Sequence, residues 1–140
     1  MIEQNFKNHP KYVLGFHLVT FVIILASLVL SILMIFNLGI NSSTIFGILI
    51  ALSLIFLFFY TRQFATGNQD RIIRAEENLR YYLLTGKMFD SRLTREQIIA
   101  LRFADDSEYV RLSEKTISQN LSSKNIKEAI QKWRADHHRI

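Results

Sequence analysis

Between Lys11 and Arg62 the chain carries no Asp, Glu, Lys or Arg. No other feature limits the fold so strongly. A uniform soluble domain interleaves charge throughout, so an uncharged stretch of this length must meet a solvent other than water or be buried almost completely. Nearly all the charge of this 140-residue chain, whose net value is +5, lies after Arg62. That polar part can enclose only a modest core, enough for one small domain. With no cysteine, disulfides, thiolate catalysis and cysteine-ligated metal are excluded.

The uncharged stretch contains two apolar runs. "FHLVTFVIILASLVLSILMIF" (Phe16 to Phe36) has the ~20 residues needed to cross a ~30 Å hydrocarbon core. A cleaved signal peptide would have a shorter apolar region ending in small residues, whereas this run ends in "MIFNLGIN". The second run, "TIFGILIALSLIFLFFY" (Thr44 to Tyr60), is slightly short, and Ile40 and Phe64 extend it. Asn37, Gly39, Asn41 and the serines between the runs are turn and cap formers. A link this short demands an antiparallel hairpin, with spans expected at about 14–36 and 43–61 inside a hairpin region of about 13–61. A buried soluble hairpin would leave too little polar sequence to cover it. The turn has no basic residue, while Lys7 and Lys11 precede the first span and Arg62, Arg71, Arg74 and Arg80 follow the second. The bias of basic residues toward the inner side then places both termini in the cytoplasm.

Spacings of three and four put His17, Thr20, Ile24, Ser27, Ser31 and Met34 on one face of the first span. Thr44, Gly47, Ala51, Leu54 and Phe58 share a face of the second. Small residues let helices approach closely in lipid and hydroxyls bond across the interface. Thr20, Ser27, Ser31, Gly47 and Ala51 are therefore candidates for a packing or oligomer face, in preference to a conduction path. His17 is the candidate intramembrane polar site, since an ionisable group within a span is a functional hypothesis by default. It lies close enough to the end to reach the interface.

The second span runs directly into "FATGNQDRIIRAEENLRYYL". Asp70–Arg74, Glu76–Arg80 and Glu77–Arg80 have the acid-before-base spacing of a self-paired, solvent-facing helix, worth ~0.2–0.5 kcal/mol per pair. Ile72, Leu79 and Leu83 form an apolar stripe flanked by Ile73, which needs a partner. The span is thus expected to continue as a connecting helix over about 62–90. Gly67 and Asn68 are its weakest point, open to a kink, and Gly86 is its terminator. Arg62 reads as a headgroup anchor beside Tyr60 and Phe64.

From about residue 91 the chain reads as a small three-helix module, with helices at roughly 95–104, 107–120 and 125–138. Thr94 with Gln97 is a capping-box pattern, and Leu93 with Ile98 its hydrophobic staple. Asp105 with Glu108 and Asn125 with Glu128 repeat the signal. Ile98, Ile99, Leu101 and Phe103 predict a central first helix. Val110, Ile117 and Leu121 predict the inner face of the second, and Ile126, Ile130 and Trp133 that of the third.

Basic residues crowd the last helix (Lys124, Lys127, Lys132, Arg134, Arg139), but Asp105, Asp106, Glu108 and Glu114 dilute the patch. A tethered basic face already gains ~1 kcal/mol per residue from anionic lipid, so lipid or protein contact explains it better than nucleic acid. His137 and His138 are adjacent and diverge on a helix, which does not suit chelation. No phosphate loop, nucleophile elbow or apolar carboxylate pair is present. No catalytic residue, cofactor, metal or small-molecule substrate is assigned.

"NFKNHPKYVLGFH", "QDRIIRAEENLR", "EQIIALRFADDSE" and "WRADHHR" resemble a family of small bacterial inner-membrane proteins of unknown function, with two spans near the N-terminus and a helical tail. The resemblance implies that architecture and a bacterial inner (cytoplasmic) membrane. It implies no catalytic residue. The first block, an N-terminal segment of about 1–12, is expected to fold against Arg62 or the charged helix through Asn8 and His9, with Pro10 stopping the helix behind it. Cytoplasmic interaction is thus assigned to Asn8, His9, Arg62, Asp70, Arg71, Arg74 and Trp133. The sequence as a whole reads as an all-α membrane scaffold or accessory subunit that self-associates or docks a partner membrane protein. A small channel or transporter subunit, and a membrane-tethered nucleic-acid binder, are the alternatives.

Overall fold

A computed structural model of the chain describes residues 4–9 and 12–136. Among these the fold is all-helical: a π-helical turn at Gly15–Thr20, then α1 (Phe21–Leu38), α2 (Ser42–Thr85), α3 (Arg95–Leu101), α4 (Asp106–Gln119) and α5 (Ser123–Ala129). The described residues of Lys11–Ala65 form one compact unit, and those of Met1–Pro10 with Thr66–Ile140 form the other. The sequence expectations for Pro10, Lys11, His137, His138 and Arg139 lie outside the described residues.

The first unit is a hairpin. α1 contains neither Gly nor Pro and is stopped by Gly39, whose φ of +70° only glycine adopts without strain. Asn41 then starts α2. Its side-chain oxygen accepts from the N–H groups of Ser43 and Thr44 at 3.0 and 3.1 Å, and Thr44 Oγ1 accepts from Asn41 N at 3.0 Å. This reciprocal pair satisfies donors that a helix start leaves open. Phe16 stacks on Phe58 with ring centroids 4.6 Å apart. Ser31 lies where a side chain on Gly47 would have to go, 3.2 Å from the position a Cβ would take. Ile24, Thr44 and Ala51 are buried. The shared face differs from the expected one at one position on each helix. Met34 and Leu54 are exposed, and their neighbours Ile35 and Ile55 are half-buried instead.

Only 6% of the apolar window of the first helix and 11% of that of the second is buried. The core helix of a soluble protein would be mostly covered. Both helices are long and apolar enough to cross a membrane. α2 is more than a span. It runs unbroken for 44 residues through Gly67 and Asn68, then ends as expected at Gly86, where φ is +72° and the N–H bonds to Tyr82 O at 2.7 Å.

The second unit is built on the end of α2. Asn78 Oδ1 takes the N–H of Phe89 at 2.9 Å and so folds the link back onto the helix. α3 starts with the expected Thr94–Gln97 box, and Gln97 also donates to Leu121 O at 3.0 Å. Ile98, Leu101, Phe103, Ala104, Tyr109, Leu112, Ile126 and Ile130 form the core. Each large side chain buried there contributes ~1.5–3 kcal/mol. The inner face of α4 is Tyr109, Leu112, Ser113 and Thr116, whereas Val110, Ile117 and Leu121 are only half-buried. Ile99 is likewise half-buried rather than central.

Two expectations about helix starts fail: in one a distant partner wins over a local one, and in the other a neighbouring residue takes the cap. Asp105 caps α4 by accepting from Ser107 N at 3.0 Å. Glu108 does not return to close a box. Its carboxylate accepts from Gln131 N and Lys132 N, at 3.1 and 2.9 Å. That pins a segment which has already left the helix. α5 is capped by Ser122 rather than Asn125, and ends at Ala129 because Ile130 turns to an extended conformation. Beyond it Trp133 pairs with Ala104 in an isolated antiparallel bridge, with Asp105 N donating to Lys132 O at 3.0 Å and Arg134 N to Phe103 O at 2.7 Å.

Replacing Glu108 with alanine leaves those two N–H groups without their carboxylate. The expected cost is roughly 1–3 kcal/mol, read as a lower melting temperature of the solubilised protein. A melting temperature equal to wild type would show that the pinned segment adds nothing to the core.

Candidate functional site

The densest polar arrangement among the described residues surrounds Arg80. α2 turns Ile73, Glu77, Arg80 and Tyr81 toward the helical module, and Ile73 and Glu77 are buried. Arg80 Nη1 lies 3.1 Å from Glu77 Oε2, and the side chains of both are 10% exposed. Arg80 Nη2 donates to Ala104 O at 2.7 Å, and Nε to Asp106 Oδ1 at 2.7 Å. The guanidinium also lies over the Tyr109 ring, 4.0 Å from its centroid. The Tyr109 hydroxyl donates to Glu77 O at 3.3 Å. Burial, reinforced by nearby Glu77, pushes the phenol well above its ordinary value, so it remains a donor. The flat, five-donor fork of arginine suits this role, since it meets two carboxylates, a carbonyl and an aromatic face at once.

A second arrangement seats the N-terminal segment. Asn5 and Asn8 close a turn on each other: Asn5 N donates to Asn8 Oδ1 at 2.6 Å, and Asn5 Oδ1 accepts from Lys7 N at 2.9 Å. The turn delivers His9 to the module. Its ring lies 5.7 Å from that of Phe103 and 6.0 Å from that of Trp133. His9 Nδ1 lies 2.7 Å from Phe6 O, which requires a proton on that nitrogen. Nε2 then holds the lone pair that faces Lys127 Nζ at 3.1 Å. Gln4 completes the seat by gripping the backbone of Asp136, accepting from its N–H at 2.7 Å and donating to its carbonyl at 3.4 Å. Asp136 also pairs with Arg102, Oδ2 to Nε at 3.0 Å. His9 thus meets Phe103, Trp133 and Lys127.

The other sequence candidates divide as follows. Asp70 pairs with Arg95 at 3.8 Å instead of Arg74. Arg71 and Arg74 are exposed and have no ion pair among the described residues, and Arg62 is half-buried. Trp133 stands in the extended segment, its ring 5.1 Å from that of Phe103. On the hairpin, Thr20, Ser27 and Ser31 donate back to carbonyls of their own helical run, to Gly15, Ile24 and Ser27 at 2.9, 2.7 and 2.8 Å. His17 Nδ1 lies 2.9 Å from Val13 O one turn back. It sits in the π-helical turn, a geometry the sequence did not signal. Sequence reasoning paired Glu77 with Arg80 but missed that the pair is buried. It also missed Gln4, Arg102 and Tyr109, and read Lys127 only as part of a basic surface. No group of three or more His, Asp or Glu suited to a metal occurs among the described residues.

The match to a family model covers residues 1–140. The chain belongs to DUF6526, a family of unknown function. No curated protein and no solved structure matches it. The family membership adds no residue role, so chemical meaning comes from the geometry alone. Most donors and acceptors of the two arrangements are turned on each other, as suits holding a structure in place more than binding a small molecule.

Arg80→Ala leaves Glu77 buried without its counter-charge, and the expected loss is about 3–5 kcal/mol. Arg80→Lys should recover only part of it, because an ammonium cannot span the same partners. Equal melting temperatures for wild type and Arg80→Ala would show that the Glu77–Arg80 pair adds nothing to stability. Acid supplies a separate test. Arg92 beside Asp90 holds that carboxyl down at about 2; bonds from Ser107 lower Asp105, and its own backbone N–H and then Arg95 lower Glu96. A depressed carboxyl contributes stability that is complete above its ordinary value and fades as pH falls through its folded one. Melting temperature should therefore hold down to pH about 4 and fall between about 4 and 2. Asp90→Asn should shrink that fall.

Proposed function

We propose that this protein is an integral membrane scaffold, or accessory subunit, that self-associates or docks a membrane partner and performs no catalysis. The observation that carries the reading is the dual character of α2. One unbroken helix is apolar and uncovered over its first half, and its second half grips a folded module through Glu77 and Arg80. Lipid is the solvent that such a first half requires, and the same helix goes on to carry the residues that hold the module. The hydroxyls of the hairpin are satisfied within their own helical run, which supports a packing role over an ion path.

The proposed location is the bacterial inner membrane, crossed twice, with both termini in the cytoplasm. The distribution of basic residues supports this. So does the bond between Gln4 and Asp136, because two residues on either side of a hairpin meet only if both ends lie on one side of the bilayer. Lipid and other copies of the chain are the proposed partners, and a partner membrane protein is the other. Nucleic acid is not proposed, since the acids of α4 interrupt the basic surface.

Gentle extraction followed by mass determination of the intact complex tests the proposal. The expected result is a multiple of the chain mass, alone or with a fixed companion. A chain that stays monodisperse in plain buffer, or that is only monomeric in native membranes, would overturn it.

A further inference from the structure

The connecting half of α2 has two faces, and the module uses one. Ile73, Glu77, Arg80 and Tyr81 turn toward it. On the opposite side Ile72, Leu79, Tyr82 and Leu83 are 57%, 59%, 47% and 75% exposed. Their spacing is not that of a random apolar surface. Ile72, Ala75, Leu79 and Tyr82 follow one another at intervals of three, four and three, which are the a and d positions of a heptad seam. In that frame Arg71 occupies a g position and Glu76 the following e position. Both are exposed, and neither has an ion pair among the described residues.

We infer that this face is a parallel, two-fold, in-register helical seam between two copies of the chain, closed by Arg71 of each copy against Glu76 of its partner. The inference rests on the membrane placement and self-association proposed above, and it names the surface. Three observations select a second copy as the occupant. In a parallel coiled coil a g residue faces the e residue five positions later on the partner, and 71 and 76 stand in that relation, so one unpaired cation and one unpaired anion are satisfied twice by symmetry. The reverse orientation would bring g to g and e to e, arginine toward arginine and glutamate toward glutamate, which repels. Finally, residues 72–82 follow the second apolar span in the same chain, so two copies held in one membrane offer their seams on the same side of it.

Two heptads are too short to hold helices together from dilute solution. Confinement of both copies to one membrane raises their effective concentration and removes that limitation. The seam is expected to form in the membrane-bound full chain and to be weak in an excised tail.

The absence of cysteine makes the test direct. Ala75→Cys and Leu79→Cys, each introduced singly into the full-length protein in native membranes, should form self-disulfides under mild oxidation. Arg74→Cys, exposed on the same helix but off the seam, should not. Glu76→Arg in the Ala75→Cys background should lower the yield roughly fivefold, and Arg71→Glu combined with Glu76→Arg should restore it. No crosslink at positions 75 and 79, or an equal yield at 74, overturns the seam. If the intact complex is still a multimer in that case, only the seam falls and self-association stands. If the chain is monomeric or soluble, the reading beneath it falls as well. Failure of the charge reversal to rescue overturns the parallel register.

Discussion

A buried guanidinium governs the architecture of the helical module. Arg80 meets two groups that cannot be left alone out of water, the Glu77 carboxylate and the Ala104 carbonyl, and lies over the face of Tyr109. Either polar group would carry a desolvation cost without it. Because Arg80 and Glu77 belong to α2, the short helices must assemble around the end of the long one. The apolar core of Leu101, Phe103, Tyr109 and Ile126 supplies most of the driving force. The arginine supplies direction, because its donors reach Ala104 O and Asp106 on the module while Glu77 holds it from its own helix.

The same logic explains what was legible in the sequence. Signals that act within a few residues came through: two uncharged helices, a Gly86 stop, the Thr94–Gln97 box. Each is satisfied locally, so no distant partner competes. Several failures involve a choice between competing partners or caps. Glu108 could have closed its own helix start, and it was drawn to the Gln131 and Lys132 amides across the module. Glu77–Arg80 has the spacing of a wet surface pair, and spacing carries no information about burial. Asn125 looked like a cap, but Ser122 stood one turn earlier and took the role.

The N-terminal segment was beyond reach for a different reason. Its seat is built from Phe103, Lys127, Trp133 and Asp136, residues far along the chain. Nothing around Gln4 or His9 announces them. The amino acids themselves were suggestive, because an Asn-rich turn next to a histidine wants polar company, but the address was not written nearby. The π-helical turn at Gly15–Thr20 is similar. A shift from one carbonyl to the next leaves no trace in residue type.

The Gln4–Asp136 clasp joins positions 132 apart, and this sets an order of events during synthesis. At ~5–20 residues per second, Gln4 waits about 7–26 seconds for its partner to be made. The hairpin and most of the module are complete before the two can meet. The strap therefore forms late, after the residues of the hairpin and most of the module have been made.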